Sequence, residues 1–192
     1  ADSLEHWTKN YVVDGFRFDL MGLIDTETIF EGLKKCRKYK SDILFIGEGW
    51  KMYNGKKGRG MDQNMMSQTK DISVFNDEFR DLIKAGGMNE TRKAFITDDA
   101  ESKNYIKQLF FDITGRPQVN YTVSTPLNNV QYLEAHDGLT LHDNILYNCA
   151  LDENNEQQKN ELYKRLKLGN FIVLTSQGIP FLQAGQESSV QQ

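Results

Sequence analysis

Ile43-Leu44-Phe45-Ile46 is an unbroken apolar run that stops abruptly at Gly47-Glu48. A strand with one wet face alternates apolar and polar residues. An unbroken run is what a strand covered on both faces carries, and such strands belong to parallel sheets flanked by helices. The neighbouring segments agree. Tyr11 to Asp19 is aromatic and β-branched, reads as a strand and also ends in an acid. Between the two, Thr26 to Lys38 reads as a helix. Thr26 is placed to cap it, Ile29, Phe30, Leu33 and Cys36 form its apolar stripe, and Lys34, Lys35, Arg37 and Lys38 suit its C-terminus.

The rest of the chain repeats this alternation. Strands are expected near 12–18, 43–47, 72–75, 129–135 and 179–184, the last with Pro180 near its start, where it is tolerated. Helices are expected at Asp77 to Ala85, near Ala100 to Phe111, at Leu141 to Cys149 and from Glu156 to about Leu174. Phe171-Ile172-Val173-Leu174 in the last of these is apolar enough to be buried. Ser3, Leu4, His6 and Trp7 form a short amphipathic start, and residues 51–71 read as a loop over a core patch of Met52, Met61, Met65 and Met66. Strand–helix alternation of this kind defines an α/β protein with a parallel sheet and right-handed crossovers.

Composition narrows the partners. With 23 basic against 27 acidic residues the net charge is −4, so there is no basic excess to hold a polyanion, which argues against nucleic acid. No segment approaches the roughly 18 consecutive apolar residues of a membrane helix, so no membrane partner is expected. Ala1 to Asn10 has no apolar signal core. Cys36 and Cys149 are distant in sequence and are read as buried free thiols.

Three expected strands end in a carboxylate: Asp19, Glu48 and Asp137. In a parallel α/β barrel the strands' C-terminal ends build the active site. One such acid alone is more simply a helix cap or a solvated charge. Three of them, with Arg17 and His136, suit glycoside hydrolysis. There one carboxylate attacks the anomeric carbon and a second, protonated, donates to the leaving oxygen, about 5–5.5 Å away when configuration is retained. Arg17 lies two residues before Asp19 on the same strand face, where a guanidinium holds a carboxylate ionised and oriented. His136 and Asp137 offer a donor and an anion side by side for sugar hydroxyls, and Trp50 offers a flat surface for a sugar ring, or else a core residue.

These segments together resemble a known family. Asp14-Gly15-Phe16-Arg17-Phe18-Asp19-Leu20-Met21-Gly22 resembles the second conserved region of the α-amylase superfamily (glycoside hydrolase family thirteen) in its type I pullulanase form. Gly47-Glu48-Gly49-Trp50 resembles the third region, and Glu134-Ala135-His136-Asp137 with Leu139-Thr140-Leu141-His142-Asp143 the fourth. Phe75-Asn76-Asp77 through Arg80-Asp81 resembles the sixth-strand segment of pullulanases, and Ser176 through Glu187 their eighth. Five segments in order across nearly the whole chain are highly specific.

The resemblance implies a partial (β/α)8 TIM barrel, strands four to eight with their helices, residues 1–192 being the C-terminal part of a catalytic barrel. The Asn-His pair of the family's first region does not occur, since none of His6, His136 and His142 follows an Asn. A missing N-terminal barrel half, or self-association, would then cover the open strand edges. The resemblance also implies roles: Asp19 as nucleophile, Glu48 as general acid and then base, Asp137 as stabiliser of the oxocarbenium-like transition state, Arg17 as the group that positions Asp19, and His136 as a sugar ligand. The implied substrate is an α-glucan, cleaved at α-1,6 branch linkages of pullulan, glycogen or amylopectin. An isoamylase or branching-type enzyme, and an inactive α-glucan-binding fragment, are the alternatives. No cofactor is expected, and no residue spacing points to a metal. An extracellular or cell-surface place is favoured over the cytoplasm.

Overall fold

The computed structural model describes residues 1–98 and 105–188. Five strands follow one another through the sheet in chain order, β1 to β5. The residues fall into two compact units, the first being Ala1–Phe75 with Tyr121–Val130, the second the other described residues. Each unit has its own apolar cluster.

In the first unit, helix α1 (Asp2–Tyr11) leads to β1 (Gly15–Phe18), α2 (Thr26–Cys36), β2 (Leu44–Gly47), β3 (Ser73–Phe75) and the start of β4 (Asn129–Gln131). β1 pairs parallel with β2, β2 with β3 and β3 with β4. The alternation in β1 explains its placement. Phe16 and Phe18 turn to one face and pack against Phe45 of β2, the first edge-on and the second tilted, with ring centroids 5.7 and 5.1 Å away. Arg17 and Asp19 are thereby sent to the other face. Phe45 joins Met21, Ile29, Leu33, Met61 and Met66 in the core. The methionine patch is therefore core under the 51–71 loop as expected, except that Met52 is exposed.

In the second unit, α3 (Asp77–Ile83), α4 (Ile106–Ile113), α5 (Leu141–Cys149), α6 (Glu156–Thr175) and β5 (Ile179–Pro180) follow. α5 and α6 pack closely at Gly169, where a Cβ would sit 3.0 and 3.1 Å from Leu141 and Leu133. Asn76 caps α3 by accepting from the Phe79 N–H, and its amide donates to Gln131 Oε1 at 3.0 Å. That buried pair ties the start of α3 to the end of β4.

Several expectations are corrected. The cap of α2 is Asp25, not Thr26, because the Asp25 carboxylate accepts from both the N–H and the hydroxyl of Thr28 at 2.8 Å. The helix also ends at Cys36, two residues early. Leu44 is exposed although its run reads as doubly covered, because its partner across the strand pair is Gly15, which has no side chain to cover it. β4 and β5 are shorter than expected: the last ladder contact is Phe181 N–H to Gln131 O, 2.9 Å. Of Phe171-Ile172-Val173-Leu174 in α6, only Ile172 and Val173 are buried, since a helix turns Phe171 and Leu174 to the other side. Among the described residues neither cysteine forms a disulfide, but Cys149 is half-buried rather than buried. The helix expected near Ala100 to Phe111 is found at Ile106–Ile113, and residues 100–104 of it lie outside the described residues. Among the described residues no helix is long and apolar enough to cross a membrane.

Candidate active site

Asp19 follows the last residue of β1 and Glu48 the last residue of β2. The register sets Phe18 opposite Gly47, so the parallel pairing brings these two acids side by side. Oxygens of the two carboxylates lie within 4.8 Å of one another. Arg17 joins them. Its Nη1 donates to Asp19 Oδ1 and its Nη2 to Glu48 Oε1, both at 2.5 Å. The guanidinium also lies over the Phe75 ring, 5.6 Å from its centroid. The expectation paired Arg17 with Asp19 alone; the second contact is not visible from spacing within one strand, because it depends on the register between strands.

The backbone beyond each strand is fixed by the motif residues. Leu20 takes a left-handed conformation (φ 44°), which turns its N–H onto Glu48 Oε2 at 2.9 Å. Such a conformation is costly for a residue with a Cβ and is held only by its surroundings. The neighbouring contacts supply that support. Glu48 N–H donates to Phe18 O at 3.1 Å, and Gly22 N–H donates to Glu48 O at 2.8 Å. A Cβ on Gly22 would lie 1.8 Å from the Trp50 carbonyl oxygen. The Leu20-Met21-Gly22 and Gly49-Trp50 segments are thus two halves of one interlock. Glu48 is buried within it, while Asp19 stays largely exposed. Trp50 is half-buried. Asp19 and Glu48 are the carboxylates that could share a cation, and Arg17 already places positive charge between them.

In the second unit, His136 and Asp137 sit together, with His136 Nε2 3.4 Å from Asp137 Oδ2, and both are exposed. Asp137 is not at a strand end as expected: it lies six residues beyond Gln131, where β4 stops. Beyond the sheet, the Glu134 carboxylate accepts from the Leu141 N–H at the start of α5, and burial raises its pKa.

Two buried acids escaped the reading of the sequence. Glu78 accepts from three successive N–H groups, Gln118, Val119 and Asn120, at 2.8–3.0 Å. Asp112, in α4, is fully buried, and among the described residues neither of its oxygens has a hydrogen-bond partner. Burial first, then the charges of Glu78 and Asp77, push its pKa up to about 8. Nothing in the sequence around them distinguishes these acids from solvated ones.

No family model matches the chain. Individual proteins do. Pullulanase A of Streptococcus pneumoniae serotype 2 (strain D39) is 38% identical over 190 residues, 97% of this chain and 15% of that protein. The crystal structure of the group B Streptococcus pullulanase SAP in complex with maltotetraose is 38% identical, with a TM-score of 0.89 over 97% of this chain and 24% of that one. The catalytic module of the multi-modular glycogen-degrading pneumococcal virulence factor SpuA, with an inhibitor, is 37% identical, with a TM-score of 0.90 over 97% of this chain and 26% of that one. The strand order, the acids that follow β1 and β2, and these likenesses make the chain similar to the type I pullulanases of the α-amylase superfamily. Its five parallel strands match part of their catalytic module, and it spans about a quarter or less of the pullulanases named above.

Proposed function

We propose that the chain carries the catalytic acids of a retaining glycoside hydrolase that cleaves α-1,6 branch linkages in pullulan, glycogen or amylopectin. It corresponds to strands four to eight of the catalytic barrel. The observation that carries this reading is the single guanidinium of Arg17 shared by two carboxylates on adjacent parallel strands. The nearest oxygens of the two carboxylates approach within 4.8 Å, which is compatible with the close carboxyl pair of a retaining enzyme.

In the first step Asp19 attacks the anomeric carbon while Glu48 gives its proton to the glycosidic oxygen, and the bond between them breaks. In the second, Glu48 takes a proton from water, which displaces Asp19 and restores both groups. Asp19 suits the attack because it is exposed and its Oδ1 is held by Arg17. Glu48 suits the proton transfer because it is largely buried and fixed from two sides. Asp137 and His136, both exposed, suit contacts to sugar hydroxyls, and Trp50 a ring face. The likeness to a structure holding maltotetraose supports an α-glucan as the substrate class.

The test is release of reducing ends from pullulan. Asp19→Asn and Glu48→Gln are each expected to lower turnover on the order of 10²–10⁴-fold, with circular dichroism unchanged. Turnover retained by either variant would overturn the assignment of roles.

A further inference from the structure

The loop that carries His136 and Asp137 has no sheet to hold it, yet one residue two positions past Asp137 is gripped by both its N–H and its carbonyl. Leu139 N–H donates to Glu90 Oε2 at 2.6 Å. Its carbonyl accepts from the Lys84 ammonium. The two side chains meet at that residue, Lys84 Nζ lying 3.9 Å from Glu90 Oε1. Lys84 is almost completely buried, and Glu90 is mostly so. Glu90 is itself anchored, for its carbonyl accepts from the Asn144 and Asn148 side chains of α5 at 3.0 and 2.9 Å. Gly138 completes the fit: its φ is +76°, and a Cβ there would lie 2.2 Å from Glu90 Oε1.

Burying an ammonium is costly unless it is paired and bonded. Here burial pulls the Lys84 pKa down while Glu90 pulls it back up. A buried ion pair seldom adds net stability over apolar residues of the same size, and its better-attested effect is to fix one geometry. The geometry fixed here is that of the Leu139 backbone, and with it the direction in which the chain presents His136 and Asp137.

We propose that Lys84 and Glu90 form a clamp that positions the Asp137 loop for transition-state stabilisation, an inference that rests on the glycosidase reading for its catalytic consequence. Neither residue touches substrate; both act through Leu139.

The experiment compares Glu90→Ala, which removes the acceptor, with Glu90→Gln, which keeps an oxygen for the Leu139 N–H. Amide hydrogen exchange reads the clamp directly. Leu139 is expected to exchange about tenfold faster or more in Glu90→Ala, as loss of a bond to a charged group implies, and less so in Glu90→Gln. For pullulan, kcat is expected to fall on the order of 10- to 100-fold in Glu90→Ala with KM little changed, the size that misplacement of a distant group produces, and Glu90→Gln is expected to recover part of it. Unchanged Leu139 exchange in Glu90→Ala would overturn the clamp. Faster exchange with unchanged kcat would overturn its positioning role. Absence of hydrolysis in the wild-type protein would count against the glycosidase reading instead, while the exchange rates still decide the clamp.

Discussion

Asp112 shows how much one buried side chain can write into the pH dependence of the whole. Its carboxyl titrates near 3.8 when exposed and near about 8 in the fold, because burial disfavours its charge. Below pH 3.8 both the folded and unfolded chains hold the proton. Above that, the unfolded chain releases it and the folded chain does not. Stability therefore falls with rising pH, by about 1.4 kcal/mol per unit, until the folded group also ionises near pH 8. Asp112→Asn removes this slope. Its melting temperature relative to the unmutated chain is expected to be clearly higher at pH 8 than at pH 5. A difference that is the same at both pH values would contradict the assignment. Arg17 illustrates the opposite case, a residue whose importance is legible from its spacing to Asp19. Its bond to Glu48 is not legible, because it depends on which residue of β2 stands opposite it.

At the level of elements, the strands that carry chemistry in the first unit were the easiest to read. β1 alternates Phe16, Arg17, Phe18 and Asp19, and β2 is apolar up to Glu48, so pattern alone locates both acids. α5 was likewise read at its observed bounds, because Thr140 caps it by accepting from the Asp143 N–H. β4 misled because Tyr132 and Leu133 continue its apolar pattern after its hydrogen bonds have ended at Gln131. Burial in these residues comes from helix packing rather than from the sheet, and apolar pattern does not separate the two. The interlock between the segments after β1 and β2 gives the element-scale prediction. Gly22→Ala puts a methyl 1.8 Å from a backbone oxygen that cannot swing aside as a side chain would. Overpacking of that kind costs about 1–3 kcal/mol. Chemical denaturation is expected to show a loss of that size. The same variant should also lower pullulan turnover, because Gly22 N–H holds the Glu48 carbonyl. A Gly22→Ala protein with unchanged stability and activity would show that the two segments move independently.

At the scale of the molecule, a net charge of −4 with no basic excess suits a neutral polysaccharide better than a polyanion. The chain covers 15% of one pullulanase relative and about a quarter of the solved pullulanase chains, and within that share it holds Asp19, Glu48 and Asp137. The proposed mechanism requires Asp19 and Glu48 to act as a retaining pair. Proton NMR of the first sugar released from pullulan tests this most directly, because the anomer formed records which face of the ring water attacked. Retention predicts that the α-anomer appears first and then mutarotates. The β-anomer appearing first would contradict the claim, since it requires water rather than Asp19 to make the first attack.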